Sequence, residues 1–424
     1  MVIESRRRGP RTWARVASAL AVQLLATSQV VAGVVPHAQA QPVDLAQVGG
    51  AQTMAVAANE QAFALDLLSR LGPSSLNLVL SPSSLATLLA MLEPGAAGAT
   101  SSGIAEAMHA TSLAPAVQAS GWDALGKDLA ARATADHLVL DSANASWIQS
   151  GFPVRPQYVQ VLEQDFASSV EEADFHGDPA GAARAIDSWV SSQTRGHIND
   201  LVTAPELAQV VAVLVDAVYL SARWATPFDP SQTAEAIFHE SGSTSAQVEM
   251  MSTPLLFSAP ALASKSLGAV ELMYKGGHFS ALVLMPPLGQ LAAFERDLTP
   301  SRLAQVLASL QSQAVQVHLP RFSISSSFML NGALSAMGMG QAFSDAADFS
   351  NISPKPLKLA FVVQKAQVKV DESGTEASAA SAAGAEPTAV PARPLELTFD
   401  HPFLFFVRDD TTGTVLFEAQ VAAP

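Results

Sequence analysis

The stretch DESGTEASAASAAGAEPTAVPARP (Asp371–Pro394) has no aromatic residue, no Leu, no Ile and a single Val. Both of its flanks read as strand. Before it, Ala366, Val368 and Val370 alternate with Lys365, Gln367 and Lys369; after it, Leu395, Leu397 and Phe399 alternate with Glu396 and Thr398. Connections in compact domains usually run about 4–6 residues. Two dozen small residues between two strands therefore need a reason, and a flexible Ala/Ser linker is the plainest one.

The surrounding chain is globular in composition. Of its 424 residues, 49% are hydrophobic and 14% charged, well outside the disordered range. The first forty residues have the plan of a removable export signal: Arg6, Arg7, Arg8, Arg11 and Arg15, then an apolar run from Val16 to Val35, then Ala38-Gln39-Ala40 as a small-x-small cleavage site. Gln23, Thr27, Ser28 and Gln29 interrupt the run, which argues against its retention as a membrane anchor. The Arg pair after Ser5 hints at twin-arginine export, although Gly9 and Pro10 fit that motif poorly. We expect a signal peptide over 1–40, one domain over 41–424, and a periplasmic or extracellular destination. Removing the signal takes away five Arg and one Glu, which leaves 18 basic and 37 acidic residues and a net charge of −19. Such a chain repels nucleic acid and heparin-like polyanions. There is no Cys, so neither a disulfide framework nor a thiol site is available.

Element signals follow in order. Ala55–Leu71 has helical apolar spacing and stops at Gly72-Pro73. Asn77–Thr100 (NLVLSPSSLATLLAMLEPGAAGAT) reads as a short strand, then a helix with Ser81 as N-cap and Pro82 at its first position. His137–Gln149 reads as a strand, Ala185–Val202 as a helix ended near Gly196, and the β-branched Val210–Trp224 as a central strand. Phe279–Pro287, Val315–Ser325 and Phe361–Val370 are further strands, and HPFLFFVRDDTTGTVLFEAQV is a hairpin turning at Asp409–Gly413. Helices dominate the first half and strands the second, which indicates an α+β fold.

Enzyme signatures are missing. No G-x-S-x-G, no S-x-x-K at any of the seven Lys, no phosphate loop and no pair of His four apart occurs. His109, His197 and His278 lie in polar contexts typical of surface residues. We expect no catalytic residues, no metal and no cofactor.

Several segments together resemble the serpins, a family of serine-protease inhibitors. Asn77, Ser81, Pro82, Ser84 and Gly95-Ala96 look like the family's first signature, and Asn144 in ANASW like the next. DAVYLSARWATPFDPSQT (Asp216–Thr233) looks like the segment that the family writes with Asn-Ala, Tyr-Phe and Trp; LPRF (Leu319–Phe322), AFSDAADFS (Ala342–Ser350) and the C-terminal hairpin also fit. The resemblance covers about Ala55 to Pro424 and implies one domain of three β-sheets and about nine helices. It also implies that Asp371–Pro394 is a reactive-centre loop. A serine protease attacks one bond of that loop, forms a covalent acyl complex, and is trapped when the cleaved loop enters the main sheet as a new strand.

Residue patterning agrees with strand insertion. Counting by twos from Thr375, one face is Thr375, Ala377, Ala379, Ser381, Ala383 and Ala385, all small and uncharged. The other face carries Glu376, Ser378, Ala380, Ala382, Gly384 and Glu386, where charge can stay in water. The implied hinge is Glu372, Gly374, Thr375, Glu376, Ala377, Ser378, Ala379 and Ala380. The family places the attacked residue fourteen positions after the hinge Gly, which gives Thr388; counting back from Phe399, as in shorter loops, gives Pro391. Proteases rarely cut before Pro, which disfavours Glu386–Pro387, Val390–Pro391 and Arg393–Pro394. Thr388–Ala389 is thus the first choice and Ala389–Val390 the second, and small residues there suit an elastase-like or subtilisin-like protease. A monomer is expected.

The resemblance has departures, among them Met273 in place of the usual Pro before Tyr274. Asp187 stands where the family has Asn, and Gln364 where it has His; with Ser81 and Ser84 these positions imply the region that controls sheet opening. Asp accepts and Gln donates, so an Asp187–Gln364 hydrogen bond is expected as one alternative, unrelated drift as the other. The main functional rival is a non-inhibitory binding or structural protein of the same fold. A bulky or charged residue at Thr375 or in Ala377–Ser381 would favour it, and none is present.

Overall fold

The computed structural model describes residues 45–72, 77–166, 168, 170–240, 244–254, 257–375 and 394–424. The expected signal peptide, the loop residues Glu376–Ala380 and the bonds Thr388–Ala389 and Ala389–Val390 lie outside them.

A long first helix, Leu45–Leu71, stops where Gly72 donates its N–H to the Leu68 carbonyl at 2.7 Å. The Leu78–Leu80 strand then leads through Ser81 into the helix Pro82–Leu92. Pro82 occupies its first turn, as the sequence predicts. Ser81 does not cap it with its side chain, however; the hydroxyl donates instead to the Leu416 carbonyl at 2.7 Å, a tertiary bond. Apart from Thr87, all of this helix is buried, so it runs through the core between the sheets.

Six strands form the main sheet, in the order Phe322–Met329, Phe361–Asp371, Gly374–Thr375, Ala212–Arg223, Val139–Gln149, Val170–Ala173. The Ala212–Arg223 strand is central and nearly all buried, in keeping with its β-branched run. Along most of their length it and Phe361–Asp371 pair directly and in parallel, from Phe361↔Val213 to Gln367↔Tyr219. Only at one end does the two-residue Gly374–Thr375 strand separate them.

The remaining strands form a ten-stranded sheet that divides at the Gln311–Pro320 strand. One end of that strand pairs with Ser258–Ala263; the other pairs with Ser245–Ser252 and, in parallel, with Leu395–Thr398. Two sheets thus share one long strand, which completes a three-sheet α+β layout. The C-terminal hairpin is Phe403–Asp409 with Val415–Val421. The run Val315–Ser325, expected as one strand, is the end of one strand and the start of another, broken at Arg321 after Pro320.

Ten α-helices occur among the described residues. The helix expected over Ala185–Val202 is Pro179–Gln193, set by Asp178, whose carboxylate accepts from the Gly181 N–H at 2.8 Å. Its Ile186 and Val190 belong to one buried apolar cluster with Val213, Val215, Ala217, Phe361 and Val363, and the helix lies against the Val139–Gln149 and Val170–Ala173 strands. This helix therefore lies on the outer face of the main sheet, whose middle is buried.

Candidate functional site

The loop of interest leaves the main sheet at Thr375 and rejoins the protein at Leu395, in the other sheet. Its first residues are fixed in place. The Trp224 Nε1–H donates to the Asp371 carbonyl at 3.0 Å, the Trp224 N–H to the Ser373 carbonyl at 3.0 Å, and the Phe228 N–H to the Glu372 carbonyl at 2.9 Å. The buried Glu372 carboxylate accepts from Arg321 Nε at 2.9 Å and from the Thr233 hydroxyl. Burial pushes this carboxyl up, but the Arg321 and Thr233 hydrogen bonds outweigh it and hold the group below the usual carboxylate range.

Gly374 then passes so close to the neighbouring strand that a Cβ on it would stand 2.0 Å from the Ala222 carbonyl oxygen. Only glycine fits such an approach. Thr375 follows, fully buried, its hydroxyl 2.6 Å from the Tyr274 hydroxyl. The Tyr274 ring stacks on Trp224 with centroids 4.6 Å apart. Gly374–Thr375 pairs antiparallel on both sides, Val370↔Thr375↔Ala222 and Asp371↔Gly374↔Arg223. Glu372, Gly374 and Thr375, expected as part of a hinge, are thus brought together at the mouth of the seam between the two central strands.

Further along that seam lies a buried polar cluster. Gln364 Nε2 donates to Asp216 Oδ2 at 2.6 Å and to the Ser81 carbonyl at 2.9 Å, while Gln364 Oε1 accepts from the Ser81 N–H at 3.0 Å. The Ser84 hydroxyl lies 2.8 Å from Asp216 Oδ1 and 2.9 Å from Asn144 Oδ1, two acceptors for one proton. The cluster joins the core helix to three strands of the main sheet. Burial pushes the Asp216 carboxyl up to about 7, against the lowering effect of the Gln364 and Ser84 hydrogen bonds.

The expected Asp187–Gln364 bond is absent, for a geometric reason. Asp187 rides on the Pro179–Gln193 helix, which covers the outer face, whereas Gln364 points to the opposite face, toward the core helix. Asp187 Oδ1 instead accepts from the Leu201 and Val202 N–H groups at 2.8 and 3.3 Å. The acid that meets Gln364 is Asp216, in the place where the resemblance gives Asn. A lone carboxylate in the apolar run VVAVLVDAVYL was the available signal, since a buried charge requires partners. Among the described residues no group of three or more His, Asp or Glu is placed to hold a metal ion.

Comparison with known proteins accounts for this layout. The family model for serpins, the serine protease inhibitors, matches residues 58–424. A serpin-like protein of Thermococcus kodakarensis is 33% identical over 368 residues, covering 85% of this chain and 84% of that protein. Iripin-3 of Ixodes ricinus is 33% identical over 353 residues, covering 81% of this chain and 88% of its own. Among solved structures, native protease nexin-1 with heparin superposes with a TM-score of 0.76 at 25% identity, over 88% of this chain and 99% of that one. A matched domain that takes in both the Gly374–Thr375 strand and the polar cluster, together with relatives of this identity and length, identifies the chain as a member of the serpin family.

Proposed function

We propose that the chain is an exported suicide-substrate inhibitor of serine proteases of the elastase-like or subtilisin-like class. The observation that carries this reading is the Gly374–Thr375 strand, wedged between the two strands that insertion must part. Its register is the one insertion needs. Continuing from Val370↔Thr375 puts residue 378 opposite Gln367, and continuing from Thr375↔Ala222 puts the same residue opposite Tyr219. Gln367 and Tyr219 already pair with each other. The entering strand replaces that direct pairing with two antiparallel ladders, and neither neighbour has to slip.

Side-chain size supports the same path. On the inner face, Ala377 and Ala379 would meet Val368, Leu220, Ala366 and Val218, all buried, and Ser381 would fall between Gln364 and Asp216. On the outer face, Ala380, Ala382 and Gly384 would pass beneath the Pro179–Gln193 helix. The two Glu lie at the ends of the segment, away from the helix-covered middle, so small residues on both faces now have a cause.

In the proposed reaction the protease serine Oγ attacks the Thr388 carbonyl carbon. The Thr388–Ala389 C–N bond breaks, a proton passes to the Ala389 nitrogen, and an ester links Thr388 to the protease. Insertion then has to outrun water. About ten new ladder bonds at roughly 1 kcal/mol each supply a driving force comparable with the stability of a domain.

The test is incubation with an elastase and a subtilisin, followed by denaturing electrophoresis. A covalent complex at the summed mass is expected. Cleavage of the chain by both proteases without any complex would favour a non-inhibitory binding or structural role.

A further inference from the structure

On the outer face of the main sheet, where Gly374 and Thr375 enter, an open cavity of about 710 Å³ is lined by Arg223, Lys275, Lys369, His137 and His197. All five are exposed. The acid on its wall, Asp136, is buried and committed to His278, accepting from its backbone N–H at 2.9 Å and lying 2.7 Å from its Nδ1. Among the described residues Arg223, Lys275 and Lys369 form no ion pair. The fold itself sets them together. The Lys275 N–H donates to the Arg223 carbonyl at 2.8 Å. Lys369 precedes Val370, which reaches Ala222 through Thr375 in two interstrand steps, roughly 10 Å in all. That gap lies within reach of two long basic side chains that meet on one small ligand.

Three unpaired cations around one cavity are mutually repulsive, and they occur in a chain whose formal net charge is −15. A bound anion relieves the repulsion. Arg223 can engage two oxygens at once with its planar fork, while the lysines act as point charges. The acidic surroundings repel a long polyanion, so the fitting ligand is short and densely charged.

We propose that this cavity binds a compact polyvalent oxyanion, of the size and charge of pyrophosphate or a small sulfated sugar, through Arg223, Lys275 and Lys369. Bound there, it ties the Ala212–Arg223 strand to the Phe361–Asp371 strand across the hinge.

Calorimetric titration of the full chain at fixed ionic strength, with pyrophosphate in one arm and sucrose octasulfate in the other, tests the site apart from any protease. Saturable binding in either arm is expected, and the arm that binds identifies phosphate or sulfate chemistry. The Lys275→Gln/Lys369→Gln double variant should weaken it at least about tenfold, and Arg223→Lys should weaken it as well. Lys265→Gln, at an exposed turn outside the cavity, should leave it unchanged. No saturable binding up to about 10 mM, or an equal loss with Lys265→Gln, overturns the proposal.

Discussion

Gln364 and Asp216 are register partners on the two parallel central strands, and the Gln364 Nε2–H donates to Asp216 Oδ2 at 2.6 Å. The bond spans the seam that an entering strand must open. It also places an acid in the core that, among the described residues, has no charged partner and faces Gln364, Ser84 and, through Ser84, Asn144. Opening the seam admits water and relieves the desolvation of the ionised carboxylate. The neutral acid gains nothing comparable.

This makes stability depend on pH in a definite direction. The fold binds the Asp216 proton more tightly than the unfolded chain does. Its contribution is therefore complete below about pH 4 and is lost as pH rises through about 7. The shift corresponds to an upper bound of about 4 kcal/mol at pH 8. Burial pushes Glu60, Glu295 and Glu418 the same way, so the informative quantity is a difference. Asp216→Asn should melt several degrees higher than the parent chain at pH 8 and no higher at pH 4. Equal melting temperatures at both pH values would show that Asp216 does not titrate in this range.

Under the proposed trapping route, Thr375→Arg should convert the chain from inhibitor to substrate. Thr375 is fully buried against the Tyr274 hydroxyl, and an arginine there buries a charge without a partner. The entering strand is then blocked at its first inward side chain, while hydrolysis of the ester continues. At least about a tenfold rise in the ratio of cleaved chain to covalent complex is expected. Thr375→Ser, which keeps the hydroxyl, should retain trapping, and wild-type stoichiometry for the arginine variant would refute the insertion route.

How much of this was legible in the residues depended on whether a feature is local. The long loop stood out because small residues without Leu, Ile or aromatics separated two alternating strands. The resemblance marks Gly374 and Thr375 as hinge, and the structure adds why a glycine stands at 374, since no Cβ fits beside Ala222. The partner of Gln364 was out of reach. Spacing does not say which face of a sheet a distant helix covers, and Asp187 lies on the wrong one. The same missing information hides that the middle of the outer face is buried in a cluster that includes the Pro179–Gln193 helix. Ser81 misled in a related way: its N-cap position is local, but its hydroxyl serves the Leu416 carbonyl, 335 residues away.

Gly374→Ala should expel the two-residue strand without unfolding the protein. The added methyl would stand 2.0 Å from the Ala222 oxygen and 2.8 Å from the Arg223 Cα, both backbone atoms that cannot yield cheaply. The pairs Thr375↔Ala222 and Val370↔Thr375 would be lost. Hydrogen exchange read by mass spectrometry should show faster exchange at Thr375 and Ala222. The Phe361–Gln367 segment, paired directly with Val213–Tyr219, should stay protected. Unchanged protection at Thr375 would mean that the backbone absorbs the methyl elsewhere.

Cutting the loop near Thr388 should raise thermal stability. In the intact chain, Gly374 and Thr375 are the only described residues seated between the two central strands. Under the proposed route, full entry of the segment after them requires its far end to part from Leu395, which pairs in the other sheet. A cut frees that end. The released strand can then gain about ten ladder bonds at roughly 1 kcal/mol each, and the Gln364–Asp216 bond gives way to contacts with the incoming chain. An ordinary linker behaves in the opposite sense: nicking it relaxes a constraint and leaves stability unchanged or lower. The measurement is a thermal melt before and after limited digestion, with mass spectrometry to locate the cut. A rise of ten degrees or more is expected, given a gain comparable with the stability of a domain. An equal or lower melting temperature after a clean cut between Thr388 and Val390 would mean that the loop does not insert, and a binding or structural role would then explain the chain better than protease trapping.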